Sequence, residues 1–153
     1  MAYPDGLWGI TPRWTGVVMS EQIISAIKLG GQQLAAVVTL AGPERYEYFI
    51  RRAAEAREVW GLYQDGWALA KTDDGTLVFP IWPANEYATL CAEFEWDGYD
   101  AQAFSLEELI EELLPQLEED SVLPGVFYTP GDKGITPTVA QLIGDLEDEL
   151  RRN

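Results

Sequence analysis

The sequence predicts an α+β domain: a small, mostly antiparallel sheet with helices packed on it. Three observations lead there. Val59 to Pro83 reads as strand, turn, strand, turn, strand, with turn signals at Gln64-Asp65-Gly66 and Asp73-Asp74-Gly75. Apolar residues at helical spacing stand on both sides of that run. The chain has 153 residues, 47% of them hydrophobic, which suits one domain able to bury a real core.

The elements follow in order. Residues 1–18 are expected as an irregular extension, because Pro4, Gly6, Gly9, Pro12 and Gly16 break any helical or strand period around Trp8 and Trp14. Residues 19–153 then form the single α+β domain. Met19-Ser20-Glu21 marks a start of translation or the start of the ordered domain. Ser20 is the N-cap of a short helix with Ile23, Ile24 and Ile27 on one face, ended by Gly30-Gly31. Leu34, Ala35, Val37 and Val38 suggest another helical segment, stopped near Gly42. Pro43 opens the next helix, whose apolar face carries Tyr46, Phe49, Ile50 and Ala53 and whose arginines, Arg45, Arg51, Arg52 and Arg57, lie on the surface.

A meander over about residues 59–82 comes next, strand by strand: Val59 to Tyr63, Trp67 to Lys71, Leu77 to Trp82. Pro83 stops the third strand and opens a helix with Tyr87, Leu90, Cys91 and Phe94 along one stripe. Glu95 to Tyr99 is a loop, and Gln102 to Phe104 a short strand. Ser105 and Glu108 form a capping box for a helix that turns Leu106, Leu109, Ile110, Leu113 and Leu114 inward. Pro115 ends or kinks it. A later strand runs from Val122 to Tyr128, and Thr129 to Gly134 is a loop. Thr136 and Pro137 start a last helix that buries Val139, Leu142, Ile143, Leu146 and Leu150.

Charge and chemistry narrow the function. Ten Lys and Arg stand against 26 Asp and Glu, a formal charge of -16. Binding a phosphate backbone needs a basic face, so nucleic acid is not an expected partner, and acidic membranes are disfavoured likewise. A basic protein is the complementary partner. Acidity also serves solubility alone, and that reading stands beside the first. The longest apolar runs, such as Leu34 to Val38, are too short to span a bilayer. No secretory signal pattern opens the chain, so a cytoplasmic location is expected.

The chain has no histidine and one cysteine. Ser-His-Asp and Cys-His catalysis within the chain are thereby excluded, as are zinc sites built on Cys and His. Cys91 reads as a buried structural thiol. Glycine loops of the phosphate- or dinucleotide-binding kinds are absent, so no cofactor and no metal are expected. Asp73-Asp74-Gly75 lacks the spaced oxygen ligands of a calcium loop and reads as a hairpin turn.

From about Leu34 to Leu150 the chain resembles a family of small bacterial proteins catalogued as domain of unknown function 2750. The resemblance rests on Glu44-Arg45-Tyr46-Glu47-Tyr48-Phe49, Val59-Trp60-Gly61-Leu62, Asp65-Gly66-Trp67, Phe79-Pro80-Ile81-Trp82-Pro83 and Glu86-Tyr87-Ala88. Leu114-Pro115, Leu117, Val126-Phe127 and Lys133-Gly134 complete it. It implies a shared α+β fold and a bacterial origin, and carries no catalytic residue.

The leading expectation is a non-catalytic protein-binding module, of the inhibitor or immunity type, that neutralises a basic toxin or nuclease. Its expected binding residues are Trp67, Trp82, Trp96, Asp97, Tyr99 and Asp100, which sit beside turns, with Glu108, Glu111 and Glu112 on the acidic helix. The acidic run also fits the solvated face of an amphipathic helix, and the aromatics also fit packing. The alternative is a ligand-sensing or housekeeping domain without catalysis, with a pocket lined by Trp67, Trp82 and Tyr87. The sequence leaves the oligomeric state open.

Overall fold

Pro43 fixes the first turn of helix α1, Gly42–Ala56, in the computed structural model of the chain, which describes residue 37, residues 40–130 and residues 133–152. The expected N-terminal extension, the helix after Ser20 and most of the segment from Leu34 lie outside the described residues; Val37 is helical and buried. α1 buries Phe49, Ile50 and Ala53, as its spacing predicts. It stops at Arg57, a left-handed residue (φ 56°) whose N–H bonds to the Ala53 carbonyl.

Strand β1, Glu58–Tyr63, follows at once. Its main partner is not the neighbouring return segment. It pairs antiparallel along its whole length with β4, Asp100–Ser105, from Glu58 opposite Ser105 to Tyr63 opposite Asp100. The first turn does form, with Asp65 left-handed and Tyr63 bridged to Trp67. The return segment then departs, and only β2, Ala70–Lys71, is left to pair with β3, Leu77–Ile81. The meander is therefore corrected: both hairpin turns stand, but the ladder between its first two strands shrinks to a bridge. A tight turn specifies adjacency, not how far the pairing extends.

β3 pairs on its other side with β5, Leu123–Val126, and this pairing is parallel. One antiparallel bridge joins the two sheets. The Trp60 N–H donates to the Trp82 carbonyl at 2.9 Å, and the Trp82 N–H to the Trp60 carbonyl at 2.8 Å. Pro80 explains why this joint is so narrow. By the two-residue period its nitrogen faces the same side as that of Trp82, and it has no hydrogen to give. The β2 ladder reaches only to Val78, and the bridge to β1 falls at Trp82, one residue past β3.

Helix α2, Asn85–Phe94, turns Tyr87, Ala88, Leu90, Cys91 and Ala92 inward, and Pro83 lies just ahead of it rather than inside. Helix α3 has contiguous segments: an α turn Leu106–Glu108, a π segment Leu109–Leu113 and an α segment Leu114–Glu119. The predicted capping box is present, with the Glu108 N–H donating to Ser105 Oγ at 3.0 Å. Pro115 neither ends the helix nor removes it from the core. It cannot donate to Glu111, and the wider π turn ahead of it absorbs the mismatch. Helix α4, Val139–Arg152, starts later than expected. Thr138, not Thr136, is its cap, accepting the Gln141 N–H at 3.1 Å. Leu142 and Leu146 are fully buried, Ile143 and Leu150 half-buried.

Arg45 overturns the expectation of a surface arginine. It is 1% exposed. Its Nε donates to the Phe127 carbonyl at 3.0 Å, one terminal nitrogen to Leu40 at 2.9 Å and the other to Lys133 at 3.0 Å. The guanidinium also lies 6.0 Å from the Phe127 ring centroid. Phe127 has φ 65°, a strained state for a bulky residue, and the Arg45 bond holds its carbonyl there. Arg51 and Arg57 are exposed, and Arg52 donates to the Tyr48 hydroxyl at 3.1 Å.

Arg45→Met strands three carbonyls and is expected to lower unfolding stability by about 3–5 kcal/mol, read from a urea midpoint. Arg45→Lys recovers little, because an ammonium does not reproduce the planar fork. Gly61→Ala places a Cβ 2.9 Å from the Trp67 ring. It is expected to cost about 1–3 kcal/mol and to shift tryptophan emission.

Candidate functional site

The last segment of α3, Leu114–Glu119, packs on α4. The end of α1 meets them, because the Leu106 N–H donates to the Arg57 carbonyl at 3.1 Å. Around this junction lies a cleft of about 450 Å3. Glu107 and Glu111 enter it from α3, Glu147 from α4 and Arg57 from the end of α1, and Ile110 and Leu150 supply its apolar surface. Two irregular pieces of backbone border the same space: the π segment carrying Ile110 and Glu111, and left-handed Arg57. Such features gather at functional sites more than elsewhere.

The expected binding residues divide sharply. Glu111 and Glu112 are exposed on the π segment, and Glu111 lines the cleft. Glu108 is exposed, but its carboxylate is held in the capping box by the Ser105 N–H and hydroxyl. Asp97 and Asp100 are exposed, and Tyr99 is half-buried. Asp100 begins β4, opposite Tyr63 on β1.

Trp82 and Trp96 are corrections. They are 0% and 1% exposed and stack edge to face with centroids 6.0 Å apart. The Trp82 indole N–H donates to the Tyr128 carbonyl at 2.8 Å. Neither ring is available as a surface anchor. Pro83 and the turn at Trp96 suggested exposure locally, but the loop from Phe127 to Pro130 is itself buried and covers them. Trp67 is half-buried among Tyr63, Phe79 and Phe104 and lies over Gly61. Tyr87 is 3% exposed and shares a hydroxyl contact of 3.0 Å with Tyr48. Trp67, Trp82 and Tyr87 thus belong to the packed interior rather than to the wall of an aromatic pocket.

Asp74 and Cys91 have structural work. Asp74 accepts from the Thr76 N–H at 3.2 Å, from the Thr76 hydroxyl at 2.9 Å and from Thr72. These bonds, that from Thr72 first, hold its carboxyl below the usual range. Cys91 is buried, its thiol donates to the Tyr128 carbonyl at 3.1 Å, and burial pushes its pKa up. Among the described residues no group of His, Cys, Asp and Glu is arranged to hold a metal ion. No helix there is long and apolar enough to cross a membrane.

The model of one family, described as protein of unknown function (DUF2750), matches residues 46–146. This chain belongs to that family. The match spans α1 from Tyr46, every strand, and α4 as far as Leu146. No curated protein and no solved structure matches the chain. In this DUF2750 protein the matched stretch includes Glu107 and Glu111 but stops one residue before Glu147.

Sequence reasoning did not single out Glu107, Glu147, Arg57, Ile110 and Leu150 as a group. Glu107 and Glu111 stand about 40 positions from Glu147 in the chain. Only the packing of α3 on α4 makes them one surface.

Burial pushes the hydroxyls of Tyr46 and Tyr87 well above the ordinary tyrosine value, and that of Tyr128 up to about 12. In the unfolded chain tyrosine ionises near 10. Above that pH the unfolded state holds fewer protons than the folded one, so stability falls as pH rises from about 10 toward 12. Urea midpoints should be level from pH 8 to 9 and then decline, with a shallower decline in Tyr128→Phe.

Proposed function

We propose that this DUF2750 protein is a non-catalytic protein-binding module that docks a basic protein on the acidic face of α3 and α4. An inhibitor of a cationic toxin or nuclease would use such a surface. The observation that carries the reading is the convergence of Glu107, Glu111 and Glu147 on one cleft with Ile110 and Leu150 at its surface. Carboxylates steer a cationic partner and set its register, and apolar contact beneath them supplies affinity. The formal charge of -16 extends the steering field beyond the cleft. The lack of histidine agrees with a binding role, since the commonest general base near neutral pH is missing.

Buried Trp82 and Trp96 shift the expected contact surface toward Glu111, Glu112, Asp97 and Asp100, which are exposed. The partner on this reading is a basic polypeptide, not a nucleic acid.

Affinity capture from the native host, at low and moderate salt, tests the proposal with the wild type and the triple variant Glu107→Lys, Glu111→Lys, Glu147→Lys. A stoichiometric basic partner should be held by the wild type, weakened by salt and lost from a variant that folds by circular dichroism. Full retention by the folded variant, or no basic partner on the wild type at either salt, sinks it.

A further inference from the structure

A second cleft, of about 650 Å3, opens between α1 and α4, and none of its lining residues borders the acidic cleft. Its volume suits a small molecule. Ile50 and Ile135 give it apolar wall, and Tyr46 and Asp145 line it as a bonded pair. The Tyr46 hydroxyl donates to Asp145 Oδ2 at 2.6 Å. That bond orients the carboxylate and leaves Oδ1 without a hydrogen bond among the described residues. Burial, first, and then the Asp145 carboxylate keep the Tyr46 proton in place, so the hydroxyl remains a donor.

The other charges of the lining largely cancel. Arg152 pairs with Glu149 at 3.6 Å, and Asp148 is paired with Arg151 just outside the lining. Glu47 and Asp145 then stand against Arg51, an excess of negative charge beside an apolar wall. An anion meets that excess as repulsion. A neutral chain covers the Asp145 carboxylate without compensating it, which costs free energy. A cation with a hydrocarbon tail satisfies both surfaces.

We propose that the cleft between α1 and α4 binds a small aliphatic ammonium ion, its nitrogen on Asp145 and its carbon chain against Ile50 and Ile135. This site is independent of the protein-docking face.

The probe is n-hexylammonium, followed by backbone amide NMR on the full chain, with hexanoate and hexanol as controls. Saturable shifts are expected at Tyr46, Ile50, Ile135 and Asp145 with the ammonium alone. Asp145→Asn should weaken binding about tenfold or more, the scale of one charge-assisted hydrogen bond. Tyr46→Phe frees the carboxylate to rotate and should weaken it less. Gln141→Trp, at an exposed α4 position bordering the cleft, should block the site while leaving the core untouched. It also serves if Asp145→Asn does not fold. The triple lysine variant of the acidic face should bind the probe as the wild type does, which separates this site from the docking proposal. No saturable shift at millimolar probe overturns the assignment. Equal response to hexanoate or hexanol, or undiminished binding in Gln141→Trp, does so too.

Discussion

The Arg45 guanidinium is the contact on which the arrangement of this molecule turns. It takes carbonyls from Leu40, Phe127 and Lys133, in three separate stretches of the chain. Leu40 leads into α1, Phe127 leaves β5, and Lys133 returns toward the bridge between Ile135 and Val126. Irregular backbone can be buried only if its polar groups find partners. A planar donor with several N–H groups in fixed directions meets that need where a lysine does not. With the loop held, Tyr128 places its carbonyl to accept from both the Trp82 indole and the Cys91 thiol. The buried tryptophan pair thus rests indirectly on one side chain of α1.

The same logic governs the sheets. Parallel β5 comes close to β3 because Gly125 has no side chain; a Cβ there would meet Val78 at 2.4 Å. Pro80 closes off the other side of β3 between β2 and the Trp60 bridge. What remains is two small sheets touching at one pair of tryptophan backbones. β1, its local partner shortened, completes its hydrogen bonds with β4. β4 in turn delivers Ser105 to the capping position, so the sheet sets where α3 begins and which of its glutamates face α4.

Much of this was legible in the chain because it is local. Turn residues at Asp65-Gly66 and Asp74-Gly75, the Ser105–Glu108 box, and the apolar stripes of α1, α2 and α4 each depend on residues a few positions apart. The misreadings share the opposite property. Arg45 looks like any exposed helical arginine until carbonyls from 82 and 88 positions away surround it. Trp82 and Trp96 look half exposed until the segment from Phe127 folds over them. The acidic runs on α3 and α4 look like two solvated faces until the helices meet. Burial by a distant segment leaves no periodic mark on the residues it covers.

The distribution of acid along α3 bears on whether that face is merely solvent-exposed. A helix favours carboxylates in its first turn and opposes them in its last, because its amide dipoles leave positive charge at the start and negative charge at the end. Glu107 and Glu108 satisfy that rule, and Glu108 adds the cap. Glu111 and Glu112 lie four residues further on, in like-charge spacing with Glu107 and Glu108, a mild cost to the helix. Glu118 falls in the last turn, where the dipole works against it. α4 shows the contrast: Arg151 and Arg152 occupy its last turn and pair with Asp148 and Glu149. Folding of α3 therefore does not by itself select its later glutamates. Solubility asks only for net charge, which any exposed position could carry. Glu111, in that like-charge spacing, lines the cleft with Glu147, and under the docking proposal a cationic surface would relieve the repulsion.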